Sequence, residues 1–351
     1  MITIRPSHAG WIFILCLLRI DLLPVRAAES GPASPSATEA RPRIGRPVRV
    51  VSLSFRDKSR DEIARLVDRE ASAGADLVIL PETWLGQTEH PETIEGQTIA
   101  TFSGLARKHR TYIVCPIDRR DGKRRLNSAV LLDRAGKVAG IYDKVFPYWS
   151  EFDLKQPVCV GDAAPVFQTD FGKLGLAICF DVNFPEVWQR LAEQGAELVV
   201  WPSAYSAGTS LQAHALNHHF YIVTSTWTRD CVVYDITGEE LHYSKSQDVN
   251  IARVTLDLDR GIYHQNFNMD GRDKLLKERG HDVRQEKWLD REQWFVLAAA
   301  APGVSARALA RQYGMEELRD YLNRSRQAID KMRGRRFASE AGEAGEKAAT
   351  K

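Results

Sequence analysis

The regular alternation of strand and helix patterns limits the possible folds more than any other feature of the sequence. From Val48 onward, β-branched apolar runs alternate with segments of helical periodicity. The first five segments are predicted as strand, helix, strand, helix and strand, at 48–53, 61–73, 77–80, 99–109 and 112–116. This order is typical of an α/β domain.

The segments that follow predict a mixed sheet. Strands at 127–133 and 138–142 are joined by Arg134-Ala135-Gly136-Lys137, which indicates a β-hairpin. Further strands are predicted at 166–169, 174–179, 198–201, 221–226 and 232–235, with helices at 186–194 and 211–219. A hairpin pairs its strands antiparallel, so the sheet cannot be purely parallel.

Composition and charge indicate one large globular domain with tails. The chain has 351 residues, of which 44% are apolar and 27% charged. The core is predicted over 48–259, followed by a helical extension over 260–335, with helices at 291–301 and 306–332, and a disordered tail at 336–351. The formal charge of +2 predicts no nucleic-acid partner, although 305–318 superficially resembles a helix-turn-helix.

The N-terminal segment is typical of an export signal. Residues 11–18 form a short apolar run after Arg5, and small residues follow at 25–28, which predicts a signal peptide over 1–28. Arg19 and Asp21 interrupt the run before it reaches the roughly 20 residues that a membrane span needs. We therefore expect an exported protein without a lasting span, or a cytoplasmic one if the signal does not function. Residues 29–47 are predicted to be a disordered linker.

The cysteine and histidine patterns predict neither a disulfide framework nor a metal site. Of five cysteines, Cys16 would leave with the signal, and the others are irregularly spaced and read as buried thiols, with Cys179 excepted. His214 and His218 lie one helical turn apart, but no third ligand accompanies them. We expect helix packing or a dimer contact there, and no metal or cofactor.

Three reactive side chains follow predicted strands. Glu82 comes after an apolar strand and Pro81, Lys144 after Ile141-Tyr142-Asp143, and Cys179 after 174–178. In open α/β sheets the binding crevice lies at such strand ends. A free thiol titrates near about 8.5, so it needs a cation or a base to attack near neutrality. Read separately, these residues would be a loop carboxylate, a surface lysine and a buried thiol.

Together they resemble the three catalytic motifs of the nitrilase superfamily of carbon-nitrogen hydrolases. The motifs are Pro81-Glu82-Thr83, Tyr142-Asp143-Lys144 and the run 179–186, and they occur in the family's order. The resemblance spans about residues 48–259 and implies a four-layer α-β-β-α sandwich with mixed sheets, commonly paired into homodimers.

The resemblance also implies the chemistry. Cys179 would attack an amide, carbamoyl or nitrile carbon, Glu82 would act twice as base, and Lys144 with the Phe180 backbone N–H would stabilise the oxyanion. Glu151 matches a second family glutamate, although its loop departs from the family's commoner pattern. Three further substrate contacts are expected after the next strand, namely Trp201, Ser203 and Tyr205.

Phe180-Asp181 resembles the amidase and N-carbamoyl amidohydrolase branches, since nitrile-cleaving members usually have Trp-Glu there. We therefore expect cleavage of a small amide or carbamoyl compound. Nitrile hydrolysis and acyl transfer to an amine are alternatives that use the same residues. A non-catalytic binding protein is the alternative of another class.

Overall fold

The computed structural model describes residues 43–335. The predicted signal peptide, most of the predicted linker and the predicted tail lie outside these residues. Within 43–335, no helix combines the length and the apolar character needed to cross a membrane.

Strands and helices alternate along the first half of the described chain. It contains β1 (Pro47–Ser54), α1 (Arg60–Ser72), β2 (Leu77–Ile79), α2 (Gln97–His109), β3 (Tyr112–Asp121), β4 (Arg124–Leu132), β5 (Val138–Asp143), α3 (Trp149–Phe152), β6 (Val166–Gln168) and β7 (Lys173–Leu176). A 3₁₀ turn over Cys179–Asn183 follows β7 directly.

The second half continues the alternation and then departs from it. It contains α4 (Pro185–Glu193), β8 (Leu198–Ser203), α5 (Thr209–His218), β9 (Tyr221–Thr226), β10 (Asp230–Tyr234), β11 (Glu240–Lys245), β12 (Asn250–Asp257), β13 (Gly261–His264), α6 (Gln265–Arg279), β14 (Val283–Leu289), β15 (Trp294–Ala299), α7 (Ala306–Gln312) and α8 (Leu318–Arg333).

Two six-stranded sheets form the centre of the domain, in the orders β12-β1-β2-β3-β4-β5 and β11-β10-β9-β8-β7-β6. Each is mixed: β1, β2 and β3 run parallel, as do β7, β8 and β9, and the outer pairings are antiparallel. The predicted hairpin is present, since β4 and β5 pair antiparallel.

Side-chain alternation along the strands explains why the sheets stack. Residues such as Val50 and Ile79 of the first sheet share one buried cluster with Val200 and Val223 of the second. Their sequence neighbours face the opposite way, so Val78 packs beneath α1 and α2, while residues of β8 and β9 pack beneath α4 and α5. The predicted four-layer α-β-β-α sandwich is confirmed.

The C-terminal extension is an α/β unit, so the prediction of a purely helical extension is wrong. β13, β15 and β14 form a separate antiparallel sheet, and the segment predicted as a helix at 291–301 contains the buried strand β15. A short apolar run between polar segments fits a strand or a buried helix equally well, and here β-pairing decides. The helix predicted over 306–332 is divided by Gly314, whose φ is +78°.

The predicted linker is also too long. Ile44 pairs with Pro302, and the Arg46 guanidinium forms an ion pair with Glu197. These contacts attach the residues before β1 both to the core and to the C-terminal unit.

Candidate active site

The structure brings four of the predicted site residues into one buried cluster. Glu82 follows β2, Lys144 follows β5, Glu151 lies in the short helix α3, and Cys179 begins the turn after β7. Their exposed fractions are 3%, 1%, 5% and 6%, respectively. Buried charges are costly unless they are paired, so the contacts among these groups determine which protonation states the site can hold.

Lys144 lies between two carboxylates. Its Nζ is 2.8 Å from Glu82 Oε1 and 2.7 Å from Glu151 Oε2. Burial lowers the pKa of Lys144, but the charges of Glu82 and Glu151 outweigh burial and raise it above the usual lysine value. Lys144 therefore keeps its positive charge across the neutral range.

Glu151 is held ionised by the same contacts. Burial raises its pKa, but Lys144, the Asn127 amide and the Tyr148 backbone N–H outweigh burial, so the net pKa is below the usual glutamate value. The Tyr148 N–H donates to Glu151 Oε2 at 2.7 Å. Glu151 is thus fixed as a permanent anion beside Lys144.

The hydrogen bonds of Glu82 leave one of its oxygens open to a proton. Oε1 accepts from Lys144 and also from Asn127 Nδ2 at 2.7 Å, which uses both of its lone pairs. Oε2 accepts from the Ala204 backbone N–H at 2.8 Å. Among the described contacts, Oε2 therefore keeps the lone pair that can accept a proton.

Two amide side chains complete the cluster, and neither was predicted. Asn127, in β4, donates to Glu82 and also to Glu151 Oε1 at 2.9 Å. Gln87, in the loop after β2, donates to the same Glu151 oxygen at 2.8 Å. Asn127 lies beside Lys144 because the Lys144 N–H bonds to the Asn127 carbonyl at 2.9 Å. Strand pairing brings Asn127 to this position, so no local sequence motif predicts it.

Cys179 occupies a strained turn. Its φ is +47°, in the left-handed region that residues other than glycine rarely adopt. Asp181 holds the turn: its carboxylate accepts from the Ile178 N–H at 2.8 Å, the Tyr142 hydroxyl at 2.6 Å and the Phe146 N–H at 2.9 Å. Such strain persists only where surrounding contacts fix the backbone.

The surroundings of the thiol keep it protonated at rest. Burial raises the pKa of Cys179, and the charge of Glu82 raises it further. Lys144, the Ala204 N–H and the Ser203 hydroxyl lower it, but the net pKa stays above the ordinary thiol value. Attack by Cys179 therefore requires a base to take the proton, and Glu82 is adjacent.

The predicted substrate contacts occupy different positions. Trp201 is fully buried beneath the α4 and α5 layer, and its Nε1 donates to the Cys179 carbonyl at 3.0 Å, so it supports the turn from behind. This corrects the expected substrate contact. Ser203 is buried and its Oγ accepts from the Tyr205 N–H at 3.0 Å. Tyr205 is 37% exposed, and Phe180 is half-buried next to Cys179.

The histidine pair packs against aromatic rings. His214 stacks on Trp188 with ring centroids 4.3 Å apart and hydrogen bonds with the Val182 carbonyl at 2.9 Å. Burial lowers the pKa of both His214 and His218. Over residues 43–335 no three His, Cys, Asp or Glu side chains are arranged to hold a metal ion, and the four cysteines found there are free thiols.

Sequence and structure comparisons define the class. The carbon-nitrogen hydrolase family profile matches residues 55–261, so the chain belongs to that family of hydrolases. It is 28% identical over 252 residues to human deaminated glutathione amidase, covering 63% of this chain and 76% of the relative. It is 25% identical over 195 residues to omega-amidase from Xenopus tropicalis, covering 50% and 71%.

A solved structure shows the same fold. A double mutant of the amidase from Nesterenkonia sp. AN1, in complex with acrylamide, superposes with a TM-score of 0.52. The match has 23% sequence identity and covers 60% of this chain and 91% of the amidase. The family match ends at residue 261, so most of the C-terminal unit lies beyond it.

Proposed function

We propose that this hydrolase cleaves the C–N bond of a small amide or N-carbamoyl compound through a thioester on Cys179. The observation that carries the proposal is a buried thiol near a carboxylate that has one open oxygen, with a lysine paired between two glutamates. The names of the two amidase relatives support the amide as the substrate group.

In the first half-reaction, the Cys179 sulfur attacks the carbonyl carbon as Glu82 Oε2 takes the thiol proton. The C–N bond then breaks, and Glu82 returns that proton to the leaving ammonia or amine. In the second half-reaction, water attacks the thioester and gives a proton to Glu82. The C–S bond breaks, the acid departs, and Glu82 reprotonates the sulfur.

The negative charge that develops on the carbonyl oxygen needs donors. Lys144 and the Phe180 backbone N–H are assigned this role, because Lys144 keeps its charge and Phe180 follows the nucleophile directly. Loss of one such donor typically costs about 3 to 4 kcal/mol of transition-state stabilisation. Glu151 and Asn127 act through Glu82 and Lys144 and are positioning residues.

Ammonia release from a panel of amides, N-carbamoyl amino acids and nitriles tests the proposal. We expect turnover of at least one amide or carbamoyl compound by the wild type and none by Cys179→Ala. Cys159→Ala is the matched control, since Cys159 is a half-buried free thiol that is not one of the site residues. Equal turnover by the wild type and Cys179→Ala would overturn the proposal. Turnover of nitriles alone would replace amide cleavage by nitrile hydrolysis as the activity.

A further inference from the structure

Four of the loops around the site, at 84–92, 145–153, 180–184 and 204–208, contain no lysine or arginine. The loop after β9, whose Trp227 indole donates to the Glu82 carbonyl, carries Arg229. The four loops do contain acids, among them Glu89, Glu92 and Asp153. Lys144 is already bound by two carboxylates. A substrate carboxylate would therefore find no free cation in these four loops.

The same loops are lined with packed aromatic rings. Phe146 stacks on Phe184 with centroids 3.8 Å apart, and Phe180 packs edge-on against Phe184 at 5.4 Å. Tyr148 packs edge-on against Phe180 at 5.2 Å and lies 5.6 Å from Trp149. This aromatic wall, comprising Phe146, Tyr148, Trp149, Phe180 and Phe184, runs without interruption from the neighbour of Cys179 to the surface.

The outer end of the aromatic wall is unusually exposed. Trp149 is 63% exposed and Tyr148 is 41% exposed, although exposure of a large apolar ring to water is energetically unfavourable. Contiguous exposed apolar surface on a soluble domain commonly marks a binding site. Because this surface begins beside the nucleophile, the substrate's own acyl group is the occupant that it fits.

Tyr205 also lies near the thiol. Its ring packs edge-on against Trp201 at 5.6 Å, and the Trp201 indole donates to the Cys179 carbonyl at 3.0 Å. Burial raises the pKa of the Tyr205 hydroxyl. The thiol thus lies near Tyr205 and next in the chain to Phe180. An aromatic or long apolar group held there would lie near the aromatic rings of both residues.

We propose that the preferred substrate is a neutral amide whose acyl group carries an aromatic ring or a long apolar chain, bound along the aromatic wall. The inference rests on the proposed hydrolysis and names its substrate class. A short acyl group ending in a carboxylate is disfavoured, because it would lie near Glu82 and Glu151, which already share the one cation between them, Lys144.

Three amides of graded side-chain chemistry test the inference: 3-phenylpropionamide, propionamide and succinamate. We expect kcat/KM for the phenyl compound to exceed that for propionamide at least tenfold, since one extra methylene in an apolar pocket already gives about tenfold or more. Succinamate is expected to be the poorest of the three. A higher kcat/KM for succinamate than for 3-phenylpropionamide would overturn the inference.

Variants assign the effect to the aromatic wall. Trp149→Ala is expected to lower the ratio of kcat/KM for the phenyl compound to that for propionamide at least threefold. Trp288→Ala is the matched control, because Trp288 is a 44% exposed tryptophan on β14 in the C-terminal unit. An unchanged ratio in Trp149→Ala, or an equal change in Trp288→Ala, would contradict the assignment.

Protection of Cys179 from alkylation separates this inference from the proposed hydrolysis. If no amide is turned over, the proposed function fails, but iodoacetamide labelling of Cys179 still reports occupancy. We expect 3-phenylpropionamide to slow labelling more than succinamate at equal concentration. Stronger protection by succinamate than by 3-phenylpropionamide would contradict the inference. If Arg229→Gln then removed the protection by succinamate, the carboxylate site would be assigned to Arg229, whose buried Nε has no described hydrogen-bond partner.

Discussion

Two buried clusters of charge in this molecule look alike but differ in what they leave open. The site cluster consists of Glu82, Lys144 and Glu151, in which one cation lies between two carboxylates. The junction cluster consists of Asp235, Arg260 and Lys287, in which one fully buried carboxylate lies between two cations and joins β10 to the C-terminal unit.

The difference lies in unused hydrogen-bonding capacity. Asp235 accepts from Arg260, Thr237 and Lys287, and the Arg260 guanidinium also donates to the Tyr221 hydroxyl at 2.7 Å. The junction cluster is therefore closed. The site cluster keeps an open oxygen on Glu82 next to a strained cysteine. Burial of charge alone does not mark a reactive site, whereas burial with an open acceptor beside a nucleophile does.

Removal of the proposed nucleophile gives the largest expected effect. Cys179→Ala should lower kcat at least about 10⁴-fold, because the covalent pathway is lost and only binding and oxyanion contacts remain. Ammonia release at saturating substrate measures it. Cys159→Ala should stay within twofold of the wild type, and a similar loss in both variants would point to general damage.

Neutralising the base is the next largest change. Glu82→Gln keeps the shape of the side chain but removes the acceptor for the thiol proton, so kcat should fall by about 10²- to 10⁴-fold. Arg253→Gln is a suitable control, because Arg253 pairs with Glu70 on the outside of the first sheet. If Glu82→Gln retained wild-type kcat with unchanged folding, the role of base would belong to another group.

The junction cluster should respond in stability. Arg260→Ala leaves Asp235 buried without its main partner, so the free energy of unfolding should drop by about 3 to 5 kcal/mol. Urea unfolding monitored by circular dichroism measures this change. Lys155→Ala breaks an exposed pair with Glu89 and should change little. A marked loss of kcat in folded Arg260→Ala would show that the junction cluster also contributes to activity, and would contradict the distinction between the two clusters.

The smallest expected effect is the pH dependence of stability that Cys179 contributes. Its pKa in the folded state is raised, so above the ordinary thiol value of about 8.5 the unfolded chain releases this proton first. The stability of the wild type relative to Cys179→Ala should therefore fall as pH rises above about 8.5, by up to about 1.4 kcal/mol per pH unit. A thiolate at rest would instead make the relative stability rise with pH below 8.5.

The sequence predicts the fold and the reactive residues of the site for the same reason, because both depend on local patterns. Apolar runs bounded by turns indicate strands, and Glu82, Lys144 and Cys179 each follow one of them. The strain at Cys179 does not follow from local sequence, since it depends on contacts of Asp181 with Tyr142 and Phe146, more than 30 residues earlier in the chain.

Features that depend on which segments pair were missed. Asn127 joins Glu82 to Glu151 only because of how β4 pairs with β5, and no spacing in the chain reveals this. Residues 291–301 are predicted as a helix because β15 is a short apolar run of ambiguous periodicity. Trp201 is predicted as a substrate contact, but its indole is fully buried and donates to the Cys179 carbonyl, and a pattern along the chain does not give this packing.

Detection of an acyl group on Cys179 tests the central claim most directly. The wild type would be mixed with 3-phenylpropionamide, or with the best amide of the panel, and quenched in acid during turnover before peptide mass spectrometry. We expect the Cys179 peptide to gain the mass of the acyl group and to lose it on treatment with hydroxylamine. Steady ammonia release with Cys179 unmodified at every quench time, and with undiminished turnover in Cys179→Ala, would contradict the account.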